Sequence, residues 1–246
     1  VCWKGSRPGL ERTEKLLDMM GNPQNNLKYI HVAGTNGKGS VCSMLSTVLR
    51  KAGYKTGLYT SPFVRYFNER MMIDGQMISN EELSEVTEYV KQFADKMEDV
   101  PTEFELITAI AFEYFSRNKC DIVVLEVGMG GRLDSTNIIN TTVLSVITGI
   151  ALDHTAFLGD TLGAIATEKA GIIKQNTPVV YGGKSIEAYE AISKVAREKN
   201  SILHTATDTE FKNIEFSLRG CTLDAPSFEG LFVSLVGDYQ PSNIAT

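Results

Sequence analysis

The stretch HVAGTNGKGS brings together residue types that could bind the phosphates of a nucleotide. Gly34, Gly37 and Gly39 would let the main chain approach an anion closely, because a glycine has no Cβ in the way. Lys38 could reach the outer phosphates, and the hydroxyl of Ser40 could meet Mg²⁺ or a phosphate. These features predict a nucleoside triphosphate site. Its residues are Gly34, Thr35, Asn36, Gly37, Lys38, Gly39 and Ser40.

The loop departs from the strict pattern G-x-x-x-x-G-K-[ST], because Gly39 separates Lys38 from Ser40 and two residues separate Gly34 from Gly37. An ordinary glycine-rich turn is therefore the alternative. The position of the loop favours the phosphate site, since an apolar strand precedes it and an amphipathic helix follows it. The predicted apolar face of that helix consists of Val41, Met44, Leu45, Val48, Leu49 and Ala52.

Three further side chains could take part in catalysis or metal binding. Two of them come at the ends of predicted strands, and the third lies on a predicted helix. Glu126 ends the apolar run IVVL, and His154 comes just beyond the strand TVLSVITGI. Ligands bind at the carboxyl ends of strands in open α/β sheets, so both are candidates for a metal site. Each also has a plain interpretation, a solvent-facing Glu126 and a structural His154. Lys169 lies on a predicted helix, where a surface lysine is the usual case.

Strand and helix patterns alternate along most of the chain, which predicts a doubly wound, mostly parallel α/β sheet. Residues 62–79 are interpreted as a polar, turn-rich stretch that ends at a capping box of Ser79 and Glu82. After Thr207 the pattern favours a small antiparallel β section over residues 207–236. The predicted strands are KYIHVA, KTGLYTS, CDIVVLEVGMGG, TVLSVITGI, TPVVYGG and SILHTA.

Composition narrows the functional classes. The chain has 246 residues and a formal net charge of −6, without the basic runs that a nucleic-acid footprint needs. No apolar run reaches the roughly 20 residues of a membrane span. The 4 cysteines include no CxxC pair, which argues against a disulfide framework or a structural zinc site and favours a reducing cytoplasm.

Six motifs in register, HVAGTNGKGS, TSPF with FNER, EVGMGGRLDSTN, ALDH, EKAGIIK and GDYQ, resemble the folylpolyglutamate synthase and dihydrofolate synthase family of Mur-type ligases. The resemblance implies an N-terminal ATP-binding domain over residues 1–236 and the start of an interdomain linker over 237–246. The family also has a C-terminal Rossmann-like domain, which we expect to be missing from these 246 residues. We therefore expect a fragment that binds ATP poorly and has little activity.

The resemblance also assigns roles. It implies a first Mg²⁺ held by Ser61 and Glu126, a second Mg²⁺ at His154, and a catalytic role for Lys38, His154 and Lys169. Without the family, Ser61 before a proline would be interpreted as a turn residue. The family further implies carbamylation of Lys169 and a benefit from K⁺. A carbamylated Lys174 and an unmodified Lys169 remain open alternatives.

On the substrate side, the loop GGRLDSTN follows Glu126 and offers Arg132 and Asn137 as substrate contacts. The segment PFVRYFNER resembles the mobile loop over the folate site of the family. Phe63, with two further aromatic residues of the segment, could stack on a pteridine ring or belong to the core. Many relatives are expected to carry histidine or tyrosine where this chain has Phe63, so the residue itself decides nothing.

The resulting hypothesis is an ATP-dependent ligase that adds L-glutamate to a folate, or to dihydropteroate, through an acyl phosphate. A ligase for uridine-nucleotide muramyl peptides is one alternative, although only 33 residues precede Gly34. A nucleotide-binding module without catalysis is the other. The expected partners are small molecules, with no nucleic acid or membrane, and a monomer is the default.

Overall fold

The computed structural model describes residues 7–206 and 209–246, which form two β-sheets with flanking helices. The helices are α1 (Glu11–Met19), α2 (Lys38–Lys51), α3 (Asn80–Ala94), α4 (Glu103–Arg117), α5 (Thr155–Leu158), α6 (Leu162–Ala170), α7 (Ile186–Glu198) and α8 (Gln240–Ala245). The strands are β1 (Tyr29–Ala33), β2 (Thr56–Tyr59), β3 (Met71–Ile73), β4 (Gln76–Met77), β5 (Ile122–Glu126), β6 (Thr142–Ile147), β7 (Val179–Tyr181), β8 (Leu203–Thr205), β9 (Lys212–Ser217), β10 (Gly220–Ala225) and β11 (Phe228–Val233).

The larger sheet has the strand order β4-β3-β2-β5-β1-β6-β7-β8, and the pairs from β2 to β8 are parallel. Helix α2 packs on the face that carries Ile30 and Val32 of β1. Helices α4, α6 and α7 pack on the opposite face, which carries Tyr29 and Ala33. The prediction of a doubly wound, mostly parallel sheet is confirmed, and β5 is an interior strand as expected.

The stretch 62–79 differs from the prediction, because strands β3 and β4 extend the sheet there as an antiparallel hairpin. Asp74 and Gly75 form its turn, both with positive φ. The sequence pattern hid this hairpin, since its two strands are only 3 and 2 residues long. The predicted capping box is present, with the Ser79 hydroxyl accepting from the Glu82 amide at 3.1 Å.

The apolar face predicted for α2 is partly wrong. Val48 is 66% exposed and Ala52 is also exposed, whereas Cys42, which the prediction omitted, is completely buried. Leu49, one residue beyond Val48, still packs against the core of this face together with Leu45. The buried face of α2 is therefore turned toward Cys42 and Leu49, and Val48 lies outside it.

Strands β9, β10 and β11 form a separate antiparallel sheet, which confirms the predicted β section. Its predicted start at Thr207 lies outside the described residues. Within the described part of the chain, no helix has the length and apolar character needed to cross a membrane. The thiols of Cys42, Cys120 and Cys221 are free and buried.

Candidate active site

The glycine loop joins β1 to α2 at the carboxyl edge of the larger sheet. Gly34 and Gly37 have φ of 151° and 84°, which disfavours any residue with a Cβ. A Cβ on Gly34 would also collide with the hydroxyl of Thr148, the residue after β6. That hydroxyl donates to the Asn36 carbonyl at 2.7 Å, so the loop is fixed against the end of β6.

Two lysines converge on the glycine loop. Lys38 Nζ donates to the carbonyl oxygens of Gly34 and Thr35 at 3.1 and 3.2 Å. Lys169 Nζ donates to the same Gly34 oxygen at 2.9 Å, although its residue lies on α6. Gly37 caps α2 without a side-chain hydrogen bond, which leaves the first amides of the helix open to an anion. The loop therefore has the positive charge and amide donors of a phosphate site.

Glu126 and Ser61 lie in direct contact beside this loop. The Ser61 amide donates to Glu126 Oε2 at 3.0 Å, and only 4% of Glu126 is exposed. Burial raises the pKa of Glu126, while Lys38 and Arg70 act in the opposite direction. The arrangement places a buried carboxylate and a serine hydroxyl at the start of α2, and both are oxygen ligands of the kind that Mg²⁺ prefers.

His154 is placed differently. It lies beyond the end of β6 with φ of 47°, its side chain is 51% exposed, and its Nε2 is 3.6 Å from the Asp153 carboxylate. In residues 7–206 and 209–246, no group of three or more His, Cys, Asp and Glu side chains could hold a metal ion. The structure therefore brings Ser61 and Glu126 together without adding His154 to them.

Lys169 is buried, with 4% of the residue exposed, rather than on the surface. Burial and the nearby Lys38 lower its pKa to about 8, although Asp153 and Asp134 oppose the change. Burial also lowers the pKa of Lys174 to about 8. The Lys174 ammonium donates to the Asn137 carbonyl at 2.9 Å, so it supports a neighbouring loop.

The loop 128–137 after β5 is held by its own polar side chains. Arg132 donates to Glu168 of α6 at 3.0 and 3.1 Å, and the Asn137 amide group donates to the Arg132 and Gly171 carbonyls, both at 3.1 Å. Asn137 is buried, and its Oδ1 has no hydrogen-bond partner in the part of the chain that the structure describes. Both predicted substrate contacts thus make internal contacts in this structure.

The same loop borders a cavity of about 560 Å³. Arg70 lines this cavity, and its Nε and Nη1 atoms are buried without a hydrogen-bond partner among residues 7–206 and 209–246. Its guanidinium lies 5.4 Å from the Phe63 ring centroid and 5.6 Å from that of Phe67. Phe63 therefore supports Arg70 and does not itself line the cavity. Further lining residues are Ser61, Pro62, Phe104, Gly128, Asp134 and Phe157.

Comparison with known proteins identifies the chain. Residues 32–246 match the family model of the Mur ligase middle domain. The chain belongs to this family.

Relatives of this Mur ligase middle domain include the folylpolyglutamate synthase of Lacticaseibacillus casei, 42% identical over 94% of this chain and 56% of the relative. The dihydrofolate synthase/folylpolyglutamate synthase of Bacillus subtilis is 37% identical over 98% of the chain and 58% of the relative. Among solved structures, the Thermotoga maritima folylpolyglutamate synthase superposes with a TM-score of 0.89 at 38% identity, over 98% of this chain and 57% of that one. The chain thus spans little more than half the length of these relatives.

The Mur ligase middle domain also places α8 against the glycine loop, which the sequence did not predict. The Gln240 amide group donates to the Ser40 hydroxyl at 3.5 Å, and a Cβ on Gly37 would collide with Asn243 Oδ1. Gln240 belongs to the motif GDYQ, so that motif was a signal for this contact. Arg70 was also missed, although it ends the motif FNER.

Proposed function

We propose that this chain is the ATP-binding part of a ligase that adds L-glutamate to a folate, or to dihydropteroate. One observation carries the proposal: three features lie at the same edge of the sheet. They are the glycine loop with Lys38, the contact between Ser61 and Glu126, and the 560 Å³ cavity with Arg70. One solved relative, superposed with a TM-score of 0.93 at 39% identity, is an FPGS in complex with AMPPCP and folate. It supports the assignment of the two ligands to this edge.

The reaction proceeds in two transfers. The substrate carboxylate attacks the γ-phosphorus of ATP, ADP leaves, and an acyl phosphate forms. The amine of glutamate then attacks the acyl carbon, and inorganic phosphate leaves. The amides at the start of α2 and the ammonium of Lys38 bind the phosphates, so they reduce the repulsion between the triphosphate and the approaching carboxylate.

The residues beside the loop are suited to Mg²⁺. Glu126 Oε2 accepts from the Ser61 amide, and the second carboxylate oxygen and the Ser61 hydroxyl are available as hard oxygen ligands. A bound Mg²⁺ would neutralise charge on the phosphates during transfer. His154 is proposed for a second Mg²⁺, with Asp153 beside it to orient the imidazole.

The acceptor carboxylate is proposed to bind at Arg70. Its two buried nitrogens without partners are donors that a carboxylate would satisfy, and the site lies in the cavity next to Ser61. The stacking of Phe63 on Arg70 holds the guanidinium in place. Arg132 and Asn137 are proposed to act on the substrate by shaping the loop 128–137.

Lys169 is proposed to react with CO₂ to form a carbamate. The reaction needs a neutral amine, and burial supplies one by lowering the pKa of Lys169 to about 8. ¹³C NMR of the chain in ¹³C-bicarbonate tests this idea. A carbamate signal that disappears in Lys169→Met but persists in Lys174→Met supports it, and a signal that persists in Lys169→Met refutes it.

The remaining assignments are also proposals. Residues 1–236 are proposed as the ATP-binding domain and 237–246 as the start of an interdomain linker. The complete enzyme is proposed to be a cytoplasmic monomer whose activity K⁺ increases. Because the 246 residues span little more than half the length of the relatives, these residues on their own are expected to turn over scarcely at all.

The experiment is a label-transfer assay of the complete ligase with ATP, Mg²⁺ and radiolabelled L-glutamate. Tetrahydrofolate, dihydropteroate and no acceptor are compared, and a Lys38→Ala variant controls for transfer that does not use the glycine loop. ATP-dependent transfer to tetrahydrofolate alone indicates polyglutamylation, and transfer to both acceptors indicates both activities. If ATP binds but neither acceptor is labelled, the proposal fails and a nucleotide-binding module without catalysis explains the chain better.

A further inference from the structure

A second glycine turn (residues 182–185) joins β7 to α7, and its Gly182 lies against Thr246 at the end of α8. It carries the sequence Gly-Gly-Lys-Ser and lies at the carboxyl ends of β7 and β8, where open α/β sheets bind ligands. A cavity of about 270 Å³ opens at this turn. It is lined by Tyr181, Gly183, Lys184, Ser185, Ile186, Tyr189 and Thr205.

The hydroxyl of Tyr181 is buried beside this turn. Only 1% of Tyr181 is exposed, and among the described residues no acceptor takes the proton of its Oη, although the Ser185 amide lies close enough to act on it. The hydroxyl is directed at the turn, because a Cβ on Gly183 would collide with it. A buried hydroxyl without a partner is costly, so its presence beside a cavity points to a ligand oxygen that would accept from it. Burial raises the pKa of Tyr181, which keeps the hydroxyl protonated as a donor.

The other polar groups at the turn are donors as well. Within the described residues, the backbone amides of Lys184, Ile186 and Glu187 donate to no other protein group, while the Ser185 amide faces the Tyr181 hydroxyl. Lys184 is exposed and forms no ion pair with another described residue. The Ser185 hydroxyl caps α7 by accepting from the Ala188 amide at 3.2 Å. The nearby carboxylate of Glu187 is engaged by the Gly163 amide at 2.8 Å. Helix α7 has 13 residues, long enough to add its dipole to these donors.

We propose that the second glycine turn binds a phosphate group, held by the amides at the start of α7, the Lys184 ammonium and the Tyr181 hydroxyl. A set of donors with one cation suits a ligand that only accepts hydrogen bonds. The cavity of about 270 Å³ leaves room beside a phosphate for an organic group, which Ile186 and Tyr189 would contact. The lining of this cavity shares no residue with the glycine loop or with the 560 Å³ cavity, and the proposal does not depend on the ligase reaction.

The test is a titration of the ¹⁵N-labelled chain with inorganic phosphate, followed by amide NMR shifts. We expect the amides of 183–187 to shift. Lys184→Ala should weaken this binding about tenfold, the effect of losing a charge-assisted hydrogen bond. Tyr181→Phe should weaken it in the same direction with the fold retained. Lys194→Ala, an exposed lysine further along α7, is the matched control and should change nothing.

Phosphate could also bind the glycine loop, so Lys38→Ala is titrated in parallel. That variant should lose only shifts within 34–40. The proposal is overturned if phosphate shifts only residues 34–40, if it shifts nothing, or if Lys184→Ala and Tyr181→Phe bind phosphate as the parent chain does. A parallel titration with AMP shows whether the turn binds free phosphate or a phosphate ester. If AMP and inorganic phosphate bind with equal affinity, the ligand is free phosphate. If AMP binds more tightly, the ligand is a phosphomonoester.

Discussion

Lys169 is expected to destabilise the chain at neutral pH, so Lys169→Met should increase the free energy of unfolding. The side chain is 4% exposed, and its contacts with charge are the Lys38 ammonium, which repels it, and the more weakly acting Asp153 and Asp134. One hydrogen bond to the Gly34 carbonyl does not offset the loss of water. Methionine has a similar length and no charge, so it fills the same space.

The size of the effect follows from the pKa of Lys169. Its pKa falls from the ordinary value of 10.5 to about 8 in the folded chain. At about 1.4 kcal/mol per pKa unit, the gap corresponds to roughly 3 kcal/mol. This figure is an upper limit for the gain from Lys169→Met at pH 7, because the Gly34 carbonyl then loses its donor.

The pH dependence has a definite sign. Below pH 8 Lys169 carries its proton in both states, so the full penalty is present. Between pH 8 and 10.5 the folded chain binds fewer protons than the unfolded chain, so stability rises with pH by up to about 1.4 kcal/mol per unit. The advantage of Lys169→Met over the parent chain should therefore shrink across this window and vanish above it.

Urea denaturation between pH 7 and 10.5 in CO₂-free buffer measures this difference, with the exposed Lys194→Met as the matched control. Lys174 has a similarly lowered pKa, but it is present in both chains and cancels. A Lys169→Met variant that is less stable than the parent at pH 7, or a difference that does not change with pH, would refute the reasoning.

Three other predictions rest on separate contacts. Gly34→Ala should lose roughly 1–3 kcal/mol more stability in urea than Gly53→Ala, because both have positive φ but only Gly34 meets another residue, the Thr148 hydroxyl; equal losses would contradict the collision. Glu126→Gln should keep the fold and weaken Mg²⁺-dependent nucleotide binding by roughly tenfold or more in calorimetry, whereas unchanged Mg²⁺ dependence would exclude Glu126 as a ligand. His31 is completely buried, and burial and Lys174 lower its pKa to about 3. As pH falls below 6.5, His31 therefore gains a proton in the unfolded chain before it does so in the folded chain. The parent chain should therefore lose about 1.4 kcal/mol of stability per pH unit relative to His31→Gln between pH 6 and 4, and parallel acid denaturation curves would rule this out.

The sequence was sufficient to predict the larger sheet, because its strands are apolar runs separated by helices with clear periodicity. It was insufficient for β3 and β4, whose few residues give no alternation to detect. It also overestimated the buried face of α2. Periodicity shows which residues share a face, but whether that face is centred on Val48 or on Cys42 and Leu49 depends on tertiary packing.

Some residues of the candidate site could be predicted from the sequence, and others could not. The glycine loop and Glu126 were predictable because each is next to a strand end in the sequence, and strand ends meet at one edge of a parallel sheet. The burial of Lys169 was not predictable from its helix alone, since it depends on the glycine loop lying against α6. Arg70 was missed because it ends a four-residue 3₁₀ helix (Phe67–Arg70) just before β3, and an element this short gives no periodicity to detect.

Buried donors without partners add something that sequence patterns cannot supply. Arg70 Nε and Nη1 lie beside the larger cavity, and the Tyr181 hydroxyl lies beside the smaller one. Burying such a donor lowers the free energy of unfolding, so its presence beside a cavity indicates a ligand that would accept from it. Arg70 bears positive charge near Glu126, which suits the acceptor carboxylate of the proposed reaction. Tyr181 lies beside amides and Lys184, which suits a phosphate group at a separate place on the same sheet edge.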